Sequence, residues 1–237
     1  MKEERSLFFY LLFSIIAALL LVLFVGSSLS QPSPLPTSQK IGIACMSIFC
    51  GIVGISFVFK PNWLGHHLYE SKNQRKTIRL PTEPSFEGHH PQCRPFQSHT
   101  IQWRGKTWCA GCLGLLIGLC TSIVLMILYP FIDITLTKTV AILLLLIGYF
   151  ILAVVFFEIP HSRRHTKVHV FINSLMPLSF VLITIAVGEA TGEFLYGVFS
   201  ILLCFLWLDT RIQLSKSHHR TLCMNCSKTC KMFTESV

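Results

Sequence analysis

Ten cysteines and ten histidines stand in this 237-residue chain, and the spacing of several suits metal binding or thiol chemistry. One group begins at Gly88-His89-His90-Pro91-Gln92-Cys93, continues through Phe96 and His99, and ends at Trp108-Cys109-Ala110-Gly111-Cys112. A second runs His218-His219-Arg220-Thr221-Leu222-Cys223-Met224-Asn225-Cys226 and adds Cys230. Each contains a C-x-x-C, a spacing that lets two thiolates grip one tetrahedral ion within a tight turn. Thiolate and neutral imidazole are the usual ligands of zinc. The candidate metal ligands are therefore His89, His90, Cys93, His99, Cys109, Cys112, Cys223, Cys226 and Cys230.

Several arrangements of these groups satisfy an ion. Cys109 and Cys112 joined to Cys223 and Cys226 would form a four-thiolate site that staples the tail to the third span. Alternatively, Cys93, His99, Cys109 and Cys112 would close a site within one loop. The tail run C-x2-C-x3-C would hold an iron–sulfur cluster given an outside ligand, but it departs from the ferredoxin run. Zinc thus ranks first, with iron or an iron–sulfur cluster below it. The same thiols suit redox exchange where neighbouring cations favour the thiolate. The soluble βαβ context of a thioredoxin-like motif is not visible, however. His161, His165 and His169 recur every fourth residue, which would stack them on one helix face. With the His-His pairs they are similar to the histidine boxes of membrane desaturases and hydroxylases, but the H-x-x-H-H box is missing. The simpler reading is a basic helix start whose Arg163, Arg164 and Lys167 meet lipid phosphates.

What must position these groups is a set of apolar helices. Hydrophobic residues make up 52% of the chain, charged residues only 13%, and the mean hydropathy is +0.60. Soluble domains carry about 25% charged residues, so this surface cannot be coated for water, and lipid is the main solvent. Five segments meet or nearly meet the roughly 20 residues that a transmembrane helix needs, and a sixth is shorter. They are Leu7 to Gly26, Ile41 to Phe59, Ala110 to Leu128, Val140 to Phe157, Val168 to Val187 and the shorter Phe194 to Leu208. The first exceeds the 7–15 residues of a signal-peptide core and is read as a span. The step Gly114 to Gly118 permits close helix contact in lipid, and Asn173 with Pro177 suggests a hydrogen-bonded kink. No acidic residue lies deep in a span, which argues against proton-coupled transport.

Eighteen of the twenty Lys and Arg residues fall on one side of this arrangement, in the N-terminus, the connection 60–108, the turn at 163–167 and the tail. The other side holds Lys40 and Lys138, with acidic Asp133, Glu189 and Glu193. The positive-inside rule then puts both termini in the cytoplasm of a cell (plasma) membrane protein. The net charge of +9 is read accordingly as contact with anionic lipid head groups rather than with nucleic acid. Cys45, Cys50, Cys120 and Cys204 lie within spans as packing residues. The other six face a reducing compartment, where clustered thiols point to metal or redox chemistry more than to disulfides.

The stretch from Gly88-His89-His90-Pro91-Gln92-Cys93 to Trp108-Cys109-Ala110-Gly111-Cys112-Leu113-Gly114-Leu115 resembles an uncharacterised prokaryotic family of small multi-pass membrane proteins. There, a Cys- and His-bearing loop runs into a C-x-x-C at the start of a glycine-rich span. The resemblance implies no activity, but it marks His89, His90, Cys93, His99, Cys109 and Cys112 as a unit. The expected fold is all-α, a polytopic transmembrane bundle of about six spans. Residues 1–59 form two spans, 60–109 a cytoplasmic Cys/His-rich loop, 110–208 a four-span bundle and 209–237 a cytoplasmic Cys/His-rich tail. The expected function is a cytoplasmic-face metal site, with zinc foremost. The alternative is a thiol-redox or metal-dependent oxidoreductase built on the C-x-x-C and histidines.

Overall fold

The computed structural model describes residues 2–28, 35–59, 86–87, 100–103, 106–132, 137–159 and 165–224. Six helices hold most of them: α1 (Lys2–Ser27), α2 (Thr37–Phe59), α3 (Ala110–Leu128), α4 (Lys138–Glu158), α5 (Thr166–Thr191) and α6 (Phe194–Met224). Their apolar stretches run 20 to 26 residues, counting the 3-10 turn Tyr129–Phe131 that prolongs α3. At 1.5 Å per residue that is about 30 to 39 Å, enough to cross about 30 Å of hydrocarbon. The set fits a multi-pass membrane protein. The outward faces agree, since Phe8, Phe13, Leu23, Phe150 and Leu195 are all exposed, the last by 75%. A soluble protein rarely leaves apolar surface on that scale in water.

The helix ends follow local chemistry. Thr137 caps α4 by accepting a hydrogen bond from Val140 N–H. Gly192 ends α5 in the left-handed region at φ 66°, where its N–H reaches Gly188 O and a side chain would be strained. The sixth helix is longer than its apolar sequence suggested. It runs on past Leu208 to Met224, carrying Arg211 and His218 within the same helix.

Contacts along the helices fix their sense. Phe24 of α1 meets Tyr196 and Phe199 of α6, while Ser14 meets Thr210, so these two helices run antiparallel. Gly51 and Gly54 of α2 lie on Ile123 and Leu119 of α3, again antiparallel. Gly114 and Gly118 of α3 lie against the backbone carbonyls of Val170 and Ser174, so α3 and α5 run parallel and nearly touch. A methyl group at either glycine would enter those carbonyls, which is the close approach that the four-residue glycine step permits. Helix α5 is the central one. It is 61% buried along its apolar stretch, against 17–33% for the other five, and it packs on α1, α3, α4 and α6. Leu145, Met176, Ile183 and Trp207 fill the main core around it.

One element was not expected from the sequence. A three-stranded sheet orders β1 (Phe86–Glu87), β3 (Lys106–Cys109) and β2 (Thr100–Trp103), with β3 central, antiparallel to β2 and parallel to β1. Strand β3 leads without a break into α3, and its Trp108 ring packs edge-on against Phe59 at the end of α2. The segment 60–108, read as loop, therefore contains a sheet that fixes the start of α3.

Candidate functional site

Cys109 is at once the last residue of β3 and the N-cap of α3, with extended backbone angles of φ −72° and ψ 123°. Cys112 follows one turn later. N-cap and third helical residue share a side of the first turn, which brings the two thiols near each other. Cys109 is 4% exposed and Cys112 half-buried. The strand-to-helix junction thus does what C-x-x-C spacing requires, and it places the pair at the positive end of the helix dipole.

Gly111 between them leaves room for groups from two other helices. The position a Cβ would take there lies 3.4 Å from His169 Nε2, 3.8 Å from Arg211 Nη2 and 3.8 Å from Cys109 Sγ. His169, in the first turn of α5, is brought in by the close α3–α5 contact. Its Nδ1 hydrogen bonds with Glu158 Oε1 at 2.7 Å, and the Glu158 side chain is only 3% exposed. Asn173 donates from Nδ2 to the His169 carbonyl at 2.6 Å. Arg211 comes from α6, and its Nη2 shares with Cys109 Sγ the space beside Gly111. Two buried atoms of this cluster, Arg211 Nε and Asn173 Oδ1, have no hydrogen-bond partner among the described residues.

Of the predicted metal ligands, the structure brings Cys109 and Cys112 together. Cys223 lies in the last turn of α6. His89, His90, Cys93, His99, Cys226 and Cys230 fall outside the described residues, as does His161. Among the described residues, no three His, Cys, Asp or Glu side chains gather closely enough to hold a metal ion. Two thiols are half of a zinc site, and the cation beside them is Arg211. The histidine row also divides: His165 is the exposed N-cap of α5, while His169 turns inward to Glu158.

Protein-family models, curated proteins and solved structures contain no match to this chain. Its chemistry is accordingly read from its own side chains.

Glu158, Arg211 and Asn173 had no place in the predicted site. Glu158 carried the best signal, a lone acid closing an apolar span, where a buried charge needs a partner. Arg211 was counted among the basic residues of the tail, and only the continuation of α6 makes it a bundle residue. Glu189 was likewise placed in an external connection. It lies instead inside the opposite end of the bundle, 2.9 Å from Lys40 Nζ, with side-chain exposures of 2% and 5%. Tyr129 donates its hydroxyl to Glu189 Oε1 at 2.7 Å, and the Lys40 ammonium sits 5.6 Å above the Tyr129 ring. This second cluster ties α2, α3 and α5 together.

Proposed function

We propose that this chain is a membrane-embedded thiol–disulfide centre, in which Cys109 and Cys112 exchange two electrons with thiols or disulfides at one end of a six-helix bundle. The observation that carries the reading is the placing of Cys109 and Cys112 one turn apart at the start of α3, with Arg211 Nη2 and Cys109 Sγ each 3.8 Å from the Cβ position of the intervening Gly111. In the oxidised state a bond joins the two sulfurs. A substrate dithiol reduces it through a mixed disulfide, leaves as a disulfide, and hands on two electrons and the protons of its two thiols. Trp108 and the sheet hold one side of the pair and α5 the other, so the turn is fixed by packing on both sides.

The Lys and Arg asymmetry of the sequence supports a cytoplasmic position for this end and for both termini. That compartment keeps an exchanging pair mostly reduced. The zinc reading competes for the same sulfurs. It rests on the spacing of His89, His90, Cys93, His99, Cys223, Cys226 and Cys230 with the C-x-x-C.

One experiment separates the two readings. The full chain, purified in detergent, is treated with reduced or oxidised dithiothreitol, alkylated and analysed by mass, and its metal content is measured. The expected result is two thiols, Cys109 and Cys112, that are lost together on oxidation and return on reduction. Cys109→Ser or Cys112→Ser abolishes the transition. Stoichiometric metal that shields both cysteines from alkylation until a chelator removes it overturns the proposal in favour of a zinc centre.

A further inference from the structure

The two sulfurs are not equivalent, and their surroundings give the exchange a direction. Cys109 is buried at the helix N-terminus, while Cys112 is the more open of the two. Arg211 Nη2 and Cys109 Sγ each lie 3.8 Å from the position a Cβ would take on Gly111, and Arg211 Nε has no hydrogen-bond partner among the described residues. A buried guanidinium is always charged, and a buried charge is costly unless an opposite charge meets it. Glu158 supplies one such charge, but it is shared with His169. A thiolate on Cys109 supplies the second.

We infer that Arg211 is the charge partner of a Cys109 thiolate, and that this pairing favours the reduced state and makes the centre a disulfide donor to dithiol substrates. The inference rests on the thiol–disulfide reading above. The step is balanced as follows. A substrate thiolate, its proton lost to solvent, attacks Cys112 Sγ and forms a mixed disulfide. The Cys109–Cys112 bond breaks, and Cys109 leaves as a thiolate beside Arg211. The second substrate thiol then attacks the substrate sulfur of the mixed disulfide, and its proton passes to Cys112. The substrate leaves oxidised by two electrons, and the pair is left as the Cys109 thiolate hydrogen bonded by the Cys112 thiol. A stabilised leaving thiolate speeds such an exchange as well as shifting its equilibrium. The disulfide that recharges the pair is a small or protein disulfide of higher potential, reacting by the reverse of these steps.

The test equilibrates the full detergent-purified chain with graded ratios of reduced to oxidised dithiothreitol and reads the Cys109–Cys112 disulfide by alkylation. Arg211→Gln is expected to hold its disulfide at a reduced-to-oxidised ratio about tenfold higher than the unaltered chain, which corresponds to about 30 mV. Arg211→Lys, which keeps the charge, stays within about threefold. Glu158→Gln shifts the equilibrium the opposite way by about threefold, because the competing anion is gone. A structural role for these side chains would not give opposite signs, and the Glu158→Gln result stands even if Arg211→Gln fails to fold. Equal midpoints in all variants, or equal shifts for Arg211→Gln and Arg211→Lys, overturn the inference and leave the exchange reading intact. If the unaltered chain forms no Cys109–Cys112 disulfide at any ratio, the exchange reading itself falls.

Discussion

Each end of the bundle buries a carboxylate beside a cation, but the two clusters are completed to different degrees. At the far end Lys40, Glu189 and Tyr129 form a closed set: an ion pair at 2.9 Å, a hydroxyl donor at 2.7 Å and a ring beneath the ammonium. At the thiol end Glu158 pairs with His169, yet Arg211 Nε and Asn173 Oδ1 have no hydrogen-bond partner among the described residues. Buried polar groups are nearly always satisfied, so an orphan donor and an orphan acceptor need a reason. A closed cluster fastens helices together. An open one beside two thiols is a place where charge can change.

The largest expected effect falls on the closed end. Lys40→Met leaves Glu189 buried without its cation, and breaking a buried pair from one side costs about 3–5 kcal/mol. Replacing both partners, as in Lys40→Met with Glu189→Leu, should recover most of that loss. Thermal unfolding of the detergent-solubilised chain, followed by circular dichroism, reads both variants. By contrast, replacing both Cys109 and Cys112 by serine should abolish the thiol transition at a cost below about 1 kcal/mol. The contrast breaks if the cysteine variant is the less stable of the two or if the lysine variant is neutral.

How much of this was legible in the sequence differs along the chain. Five apolar runs of membrane length, a shorter sixth and a Gly114–Gly118 step were plain, because length and small-residue spacing are local signals. The sheet was not, although Thr100-Ile101-Gln102-Trp103 and Lys106-Thr107-Trp108-Cys109 flank Arg104-Gly105, a two-residue hairpin spacing. The density of His, Pro and Arg around it hid the alternation. The Cys109–Cys112 pairing followed from i, i+3 geometry once α3 was placed. Arg211 and Glu158 did not, since they meet the thiols only through the packing of α4 and α6, which no spacing within one segment reveals. The same holds for Lys40 and Glu189, which were assigned to solvent on the evidence of their neighbours in sequence.

The intermediate effect lies in the link between fold and site. Gly114→Ala puts a methyl group into the Val170 carbonyl and against the Asn173 Cβ. Backbone cannot yield as a flexible side chain can, so α3 must move off α5 at a cost of about 1–3 kcal/mol. That movement also withdraws the first turn of α3 from His169. Alkylation of reduced Cys112 should therefore speed up in this variant, while the Lys40 end is unaffected. Unchanged alkylation would mean that the sheet alone, through β3 and Trp108, holds the thiols in place.

The smallest expected effect is the sharpest test of the comparison. Asn173 is 1% exposed, donates to the His169 carbonyl at 2.6 Å, and leaves its Oδ1 unpaired among the described residues. Leucine has nearly the same shape and neither polar atom. Losing the hydrogen bond costs about 0.5–1.5 kcal/mol, while removing a buried orphan acceptor returns about 1–3 kcal/mol. The two offset each other, so Asn173→Leu should melt within about 1 kcal/mol of the unaltered chain. The equivalent removal at the closed end, Tyr129→Phe, discards a hydrogen bond to a buried carboxylate with no orphan to offset it, and should cost about 1.5–3 kcal/mol. If Asn173→Leu proves as damaging as Tyr129→Phe, then Oδ1 is satisfied in the folded protein. The thiol end would then be as closed as the other, and the two clusters would differ only in carrying sulfur.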